Sequence, residues 1–593
     1  MPENLNYIDW GIIALYFALS LIVGLWSSKK ASESSTEFFL SGRGMPWWLL
    51  GFSMVATTFS IDTPNLISDI VRQNGVAGNW VWWAFLLTGM LTVFIYSKLW
   101  RRSQVMTDIE FYELRYSGKG AAFLRGFRAI YLGVFFNVTI MASVTLAAIK
   151  VGGIMLGLSP LQVILIAGGI TVIYSSLGGL MGVLLTDFVQ FIIAMIGAVI
   201  AAYISLDHVK VGGLQNLLSN EAIKGKLSFL PDFNNWEAAL MVFIIPIAIQ
   251  WWSVWYPGAE PGGGGYIAQR MLAAKDEKHA MGATLFFNFA HYALRPWPWI
   301  IVALCSILVF PTLADIQKAF PHVDPSIIGH DMAYPAMLTY LPNGILGIVI
   351  ASLIAAYMST MSTSLNWGAS YIVNDFYKRF LKPEASEKEL VRIGRYSILV
   401  MMILASSFAL FLESALHGFN VLLQIGAGTG LLFILRWFWY RINPASEITA
   451  MIVSFIIAIV FLFVKTFNTY QQLIIGVMIT TIAWIVITII TKPSDMNTLV
   501  KFYKLVRPGR IGWSKVIAYA RENGITISGE EQRSVLPLGI IGMLIGCIAV
   551  YSFLFAIGYW VYMQILPAIF LTISTAIFSI LLFFVWNKIN QTK

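Results

Sequence analysis

Two cysteines, six histidines and only 12% charged side chains in 593 residues exclude several kinds of chemistry. Cys305 and Cys547 both lie inside apolar runs, so no disulfide framework or CxxC metal site is available, and both read as core packing. The histidines are scattered, and no HExxH, phosphate loop or nucleophile elbow occurs, which argues against an enzyme. The charge that is present sums to +9. It falls in alternate loops rather than on one wettable face, so a nucleic-acid ligand is not expected. A cleavable leader is also missing. The apolar stretch from Asn6 to Trp26 runs into Ser27-Ser28-Lys29-Lys30 without a small-residue cleavage site, and reads as a retained first helix.

What the chain has in excess is apolar surface, at 58% hydrophobic residues. A soluble globule could not hide that much, so the class is an all-α polytopic membrane protein embedded in the lipid bilayer. Hydropathy gives spans near 7–28, 46–74, 77–99, 121–157, 160–178, 180–206, 235–272, 279–311, 342–378, 387–415, 417–440, 444–466, 469–491, 535–558 and 561–587. Lysine and arginine cluster after odd-numbered spans, as in Lys29-Lys30, Arg101-Arg102, Lys275, Lys378-Arg379 and Arg436. This places the N-terminus outside and the C-terminus in the cytoplasm of a multi-pass cell-membrane protein. The loop 312–341 falls outside and predicts a short lid helix. The basic loop 492–534 falls inside. Its stretch Leu499 to Lys504 reads either as a helix lying on the inner leaflet or as a solvated linker.

Two spans are interrupted. Phe59-Ser60-Ile61-Asp62-Thr63-Pro64 breaks the second, and Tyr256-Pro257-Gly258-Ala259-Glu260-Pro261 followed by Gly262 to Gly265 breaks the seventh. Proline removes a backbone donor and glycine weakens a helix, so both should unwind. Free carbonyls at membrane depth persist only where they line a cavity or bind an ion. Interruptions paired five helices apart point to the binding site of a secondary transporter. Gly263 and Gly264 are then candidates for a hinge and for solute contact, against the alternative of a close helix crossing.

Three polar features stand inside apolar helices. Ser359, Thr360, Ser362, Thr363 and Ser364 fall within six residues. With Ala356, the first four share an arc of about 160°. Such a face of neutral oxygens suits a hard cation such as sodium. Asp187 lies about two turns into a span and must be paired, protonated or ion-bound. Asp62, in the first break, is open to three roles: binding a cationic group, accepting a coupled proton, or capping the second half-helix. Arg295 also lies well inside a span, where it either anchors a carboxylate or pairs with an acid such as Glu260.

The sequence resembles the sodium:solute symporter family, which includes the sodium/glucose cotransporters. The resemblance is carried by Glu37-Phe38-Phe39-Leu40-Ser41-Gly42-Arg43, Gly51-Phe52-Ser53, Tyr174-Ser175-Ser176-Leu177-Gly178-Gly179 with Thr186-Asp187, and Tyr266-Ile267-Ala268-Gln269-Arg270. It continues in Ala355-Ala356-Tyr357-Met358-Ser359-Thr360 and Asn374-Asp375-Phe376-Tyr377-Lys378, over about residues 7–440. It implies a leucine-transporter-type fold, five helices and an inverted five, working by alternating access. The implied divisions are an extra helix and linker at 1–45, a ten-helix core at 46–440, and about four peripheral helices at 441–593. It implies sodium as coupling ion, bound by carbonyls of Ala56, Phe59 and Ala356 and hydroxyls of Ser359 and Thr360. Some members hold a second sodium, which here would use Asp187, Ser359, Ser362 and Thr363.

The chain departs from the sugar transporters at Trp82, near the position of their sugar-binding acid, and in its longer, glycine-rich second break. Glucose or galactose is therefore not expected as the solute. Solute candidates are Asp62, Thr63, Asn137, Gln250, Trp251, His291, Arg295 and Gln424, with the two glycines. The expected function is sodium-driven symport of a small organic solute (a sugar derivative, carboxylate or amino acid) by a monomer or weak oligomer. The rivals are a transporter-like sensor, for which no output domain is seen, and a proton-coupled symporter using Asp62 or Asp187.

Overall fold

A computed structural model describes residues 5–256, 258–321, 323, 325, 328–412, 423–464, 466–527 and 536–591. Twelve of its described helices are long and apolar enough to cross a membrane. Helix α1 (Tyr7–Ala31) begins at an Asn6 cap, closed into a capping box by Asp9. The first broken span follows as α2 (Trp47–Thr57) and α3 (Asp62–Asn74). Pro64 falls in the first turn of α3, where its missing N–H costs no hydrogen bond, so the unwinding sits just ahead of it at residues 58–61.

Next come α4 (Val76–Ser103), α5 (Gly118–Leu156) and α6 (Pro160–Asp207). The last of these is two spans in one, because the chain reverses at Gly179, at φ 53° and ψ −158°. The Tyr174 hydroxyl reaches Met358 O while Asp187 takes the hydroxyl of Ser359, so both arms meet the same turn of one neighbour.

The second broken span is α7 (Trp236–Ser253) and α8 (Gly265–Ala273). It runs antiparallel beside the first. Met45 N donates to Ala273 O at 3.1 Å and Lys275 N to Met45 O at 3.0 Å. A Cβ on Gly258 would lie 3.2 Å from Thr58 Cγ2. The two breaks therefore face each other. Helices α9 (Glu277–Val309), α10 (Ile345–Leu381) and α11 (Glu387–Ala409) complete most of the core. Of the predicted span 417–440, residues 413–422 lie outside the described ones, and Gly430–Leu435 is helical.

Helix α10 is the most enclosed of these elements, and α1 is clasped to its start. Asp9, fully buried, accepts from the amides of Gly344 and Gly347 at 2.7 Å each. Farther along, Asn137 Nδ2 donates to Ser364 O at 2.6 Å. Beyond the core lie α12 (Pro444–Phe463), α13 (Thr469–Ile490), α14 (Leu536–Val561) and α15 (Ile565–Gln591).

The stretch Leu499 to Lys504 in the loop 492–534 follows neither predicted alternative. Residues 528–534 lie outside the described ones. The helix Met496–Val506 turns Leu499, Val500, Phe502 and Tyr503 into the protein. Phe502 stacks on Trp513, and the buried Arg115 guanidinium sits 5.4 Å and 4.7 Å from those two rings. Cation–π contacts desolvated in this way are worth about 2 kcal/mol or more, which explains docking on the core rather than on lipid. The predicted lid contains two short helices, Leu313–Ala319 and Ala333–Leu338.

Candidate functional site

The hydroxyl face of α10 looks onto the first break. Thr360 Oγ1 donates to Thr57 O at 3.0 Å and lies 3.4 Å from Phe59 O, two carbonyls that the unwound backbone leaves without helical partners. Ala56 sits in the last turn of α2 and Ala356 one turn before Thr360, both buried. Carbonyls from the break and a hydroxyl from α10 thus converge, a donor set of the kind a hard cation takes.

Ser359 points the other way, into a buried charged network. Its hydroxyl donates to Asp187 Oδ1 at 2.6 Å, and Ser53 donates to Oδ2 at 2.5 Å. Arg270 completes the network. Its Nη2 donates to Thr363 Oγ1 at 2.7 Å and its Nε to Ser53 Oγ at 3.2 Å. It stands 3.8 Å from Asp187, with both side chains fully buried. Gln269 fixes the guanidinium from behind, accepting from Nη1 at 2.9 Å while donating to Phe39 O and Asn366. Of the three expectations for Asp187, paired, protonated or ion-bound, this structure shows the first: α8 supplies a guanidinium. Ser362 is spent on Ser359 O at 3.0 Å. Arg270 stands in the stretch Tyr266-Ile267-Ala268-Gln269-Arg270 that carries the family resemblance, and its role is not among the sequence expectations. The available signal is an arginine inside a largely apolar span, the same signal that marks Arg295.

Between the breaks lies a cavity of about 430 Å³. Its deep end is formed by Thr57, Thr58, Thr360, Ser364 and Tyr266, and its mouth by Asp69, Gln73, Lys150, Leu313, His330 and Asp331 near the lid. Of the predicted solute residues, Asp62, Thr63, His291 and Arg295 are on its wall. Trp82 and Tyr292 stack beside them with centroids 5.8 Å apart, and Phe85 stacks on Tyr256.

Six other candidates lie off the wall, each with a local reason. Gln250 is held by Val81 O, Gln424 by Gln472, and Asn137 by Ser364 O. The carbonyl of Trp251 takes the Thr88 hydroxyl. Gly263 packs against Trp100, whose indole N–H donates to Gly262 O, and Gly264 packs against Glu260 and Asp108. Gly262 and Gly263 thus pack closely on α4, and Tyr256, Gly258 and Ala259 are the described residues of this break that reach the cavity.

Arg295 is 2% exposed and forms no ion pair with Glu260 or any other described acid. Its Nη atoms make only long contacts, 3.4 Å to Val55 O, 3.5 Å to Thr58 Oγ1 and 3.4 Å to His291 Nε2, and Nε has no acceptor. His291 Nδ1 is 2.9 Å from Thr58 Oγ1, tying this helix to the first break. Lys150 meets Asp331 at 3.2 Å at the mouth. On the side away from the lid, Glu113 binds Arg125 and Arg379 at 2.8 Å each, and Asp375 takes Arg125 at 2.7 Å.

A solved sodium-coupled sialic acid symporter, in a substrate-bound outward-open state, superposes on this chain with a TM-score of 0.65. It covers 83% of this chain and 99% of that one at 21% identity. This likeness gives the fold, a leucine-transporter-type five-plus-five inverted repeat with extra helices at both ends, as predicted. Among curated relatives, the sodium/glucose cotransporter of Vibrio parahaemolyticus is 27% identical over 478 residues, 77% of this chain and 85% of the relative. The human sodium/myo-inositol cotransporter 2 is 27% identical over 492 residues, 76% of this chain and 69% of the relative. The sodium:solute symporter family profile matches residues 38–454, a stretch that includes both breaks, Asp187, Arg270 and the hydroxyl face. A transporter and not an enzyme, coupled to sodium, the chain belongs to the sodium:solute symporter family.

Proposed function

We propose that the chain carries sodium into the cell together with a small organic solute bearing a carboxylate, by alternating access around the cavity between the breaks. Arg295 carries this reading. A guanidinium buried on the cavity wall, with Asp62 acting on it only from beyond ion-pair distance and its Nε donor unmet, is costly unless the solute completes it. Asp62 on the same wall suits a cationic or hydroxylated part of the solute, and the stacked rings suit a flat or sugar-like body. Sodium would bind at the first break through Ala56, Phe59, Ala356, Ser359 and Thr360, which requires Ser359 to turn from Asp187. The Asp187, Ser359, Ser362 and Thr363 set would accept a second sodium only if Arg270 moved aside.

Residues 46–440 would form the transporting unit, framed by 1–45 and 441–593. The orientation is supported by the basic residues that follow odd-numbered spans, which meet at one end. Arg43 bonds Gln104 O, Arg101 bonds Ala274 O, Arg102 pairs with Glu277, and Arg379 pairs with Glu113. That end would be cytoplasmic, and the lid and cavity mouth external.

A thermal-shift screen of purified protein against carboxylates, amino acids and neutral sugars, in sodium and in potassium, tests this. A carboxylated solute is expected to stabilise the protein only in sodium. Arg295→Gln should weaken that binding about 10- to 100-fold, the worth of hydrogen bonds to a charged group. Equal stabilisation by a solute and its uncharged amide would overturn the carboxylate reading. Ser359→Ala and Thr360→Ala should each raise the sodium concentration required.

A further inference from the structure

Glu260 lies in the second break, one residue beyond the cavity wall at Gly258 and Ala259. It is 3% exposed. Its Oε2 accepts the Gly258 amide at 3.0 Å, and Oε1 is buried with no donor. No lysine, arginine or histidine of the described residues pairs with it. Instead a second carboxylate meets the same backbone. Asp108, in the loop after α4, takes the Gly265 amide on Oδ2 at 2.8 Å and the Tyr371 hydroxyl on Oδ1. The point where Gly265 would carry a Cβ is 2.7 Å from Glu260 Oε1 and 3.3 Å from the Trp367 ring, whose indole N–H is buried without an acceptor.

The groups facing Glu260 are Asp108 from that loop and Tyr256 and Tyr266 of its own span. Arg436 acts on Asp108. Two acids, one with an orphan oxygen and no cation, do not both stay ionised in a dry interior. A sodium ion needs several oxygens, whereas one free carboxylate oxygen suffices for a proton.

We propose that Glu260 is a proton-binding site, separate from the sodium sites. Its carboxyl carries one proton on Oε1 in this conformation. When the break opens toward the cavity, the O–H bond breaks, the proton passes to cavity water, and the carboxylate that remains is hydrated. Sodium-driven movement of the protein then depends on pH through a residue outside both sodium sets.

Infrared spectroscopy of the full chain in lipid, titrated with acid and base, reads this directly. A protonated-carboxyl C=O band should be present at neutral pH, disappear in Glu260→Gln and persist in Asp62→Asn. Asp108→Asn removes the neighbouring negative charge, so the band should be lost at lower pH than in the parent protein. Sodium-jump currents on supported membranes should be pH-dependent in the parent and lose that dependence in Glu260→Gln. A band that survives Glu260→Gln, or a titration that Asp108→Asn leaves unmoved, would overturn the proposal. If Glu260→Gln does not fold, the Asp108→Asn titration decides alone. Each readout is taken without solute, so failure of the carboxylate reading would leave the proton site standing.

Discussion

Asp187 and Arg270 neutralise one another in a place where neither could stay charged alone. Removing one member of a buried pair strands the other, at about 3–5 kcal/mol. Asp187→Asn should therefore lower thermal stability by that order, and Asp187→Asn with Arg270→Gln should recover part of it. A double-mutant cycle in sodium and in potassium measures the coupling. Simple additivity would show that the two do not act as a pair. The carboxylate was legible because a lone acid in an apolar span demands explanation. Its partner was not, because the pairing depends on α8 packing beside α2 and α10 so that Arg270 reaches across to α6, which no local pattern encodes.

The glycine run teaches the reverse lesson. Gly262 and Gly263 do take positive φ, 79° and 73°, as four glycines in a row invite. What they approach is α4, off the cavity wall. Gly263→Ala should cost about 1–3 kcal/mol of stability from strain at positive φ, with Trp100 Nε1 3.1 Å from the new methyl. The apparent solute constant of the folded fraction should stay unchanged, which uptake kinetics beside a melting curve would check.

At the level of elements, both broken spans could be read from proline, glycine and polar residues inside apolar runs. The turn at Gly179 falls between the predicted spans 160–178 and 180–206, and its backbone shows why only glycine serves. At φ 53° and ψ −158° a side chain is strained, and a Cβ would lie 2.8 Å from Phe38 O. Gly179→Ala should destabilise the protein sharply and be found in aggregates when detergent extracts are run on a sizing column.

The two ends of the transport unit respond differently to acid. Glu113, beside Arg379 and Arg125, is held below the usual carboxylate range. Burial pushes it up, but the hydrogen bonds from those arginines outweigh burial. Its contribution is present above about pH 4.3 and is lost only as pH falls further. His330 at the lid is pushed below its ordinary value by burial and by Arg72, whose Nε donates to its Nδ1 at 3.2 Å. A depressed imidazole favours the neutral form in the fold, so its contribution to stability is complete above about pH 6.5 and is lost as pH falls through the lower pKa of the folded state. Hydrogen exchange of residues 328–333, corrected for intrinsic rates, should show the lid loosening between neutral and mildly acidic pH. His330→Gln should remove that dependence.

For the molecule as a whole, the membrane class was legible from apolar content alone and the family from the order of its motifs. The docking of Met496–Val506 and Trp513 was not, because aromatic residues spaced along a basic loop look alike whether they meet lipid or Arg115. The periphery is less constrained than the core. Helix α15 lies chiefly along α14 and leaves Leu566, Phe570, Phe583 and Phe584 facing outward. Deleting residues 563–593 should leave sodium-driven uptake largely intact in reconstituted vesicles, and loss of uptake with the fold intact would assign α15 a part in transport.

The clasp of Asp9 on the start of α10 makes α1 a fixed mark on one wall of the cavity. A dye or spin label at Leu15 or Ile22, exposed on the outer face of α1, would travel with the hydroxyl-bearing helix. A second label at Asn74, exposed at the end of α3, would travel with the first break. The distance between them becomes a ruler for the opening and closing of the cavity. Cys305 and Cys547 are both buried, so a cysteine placed at either position would be the accessible thiol in an otherwise native chain.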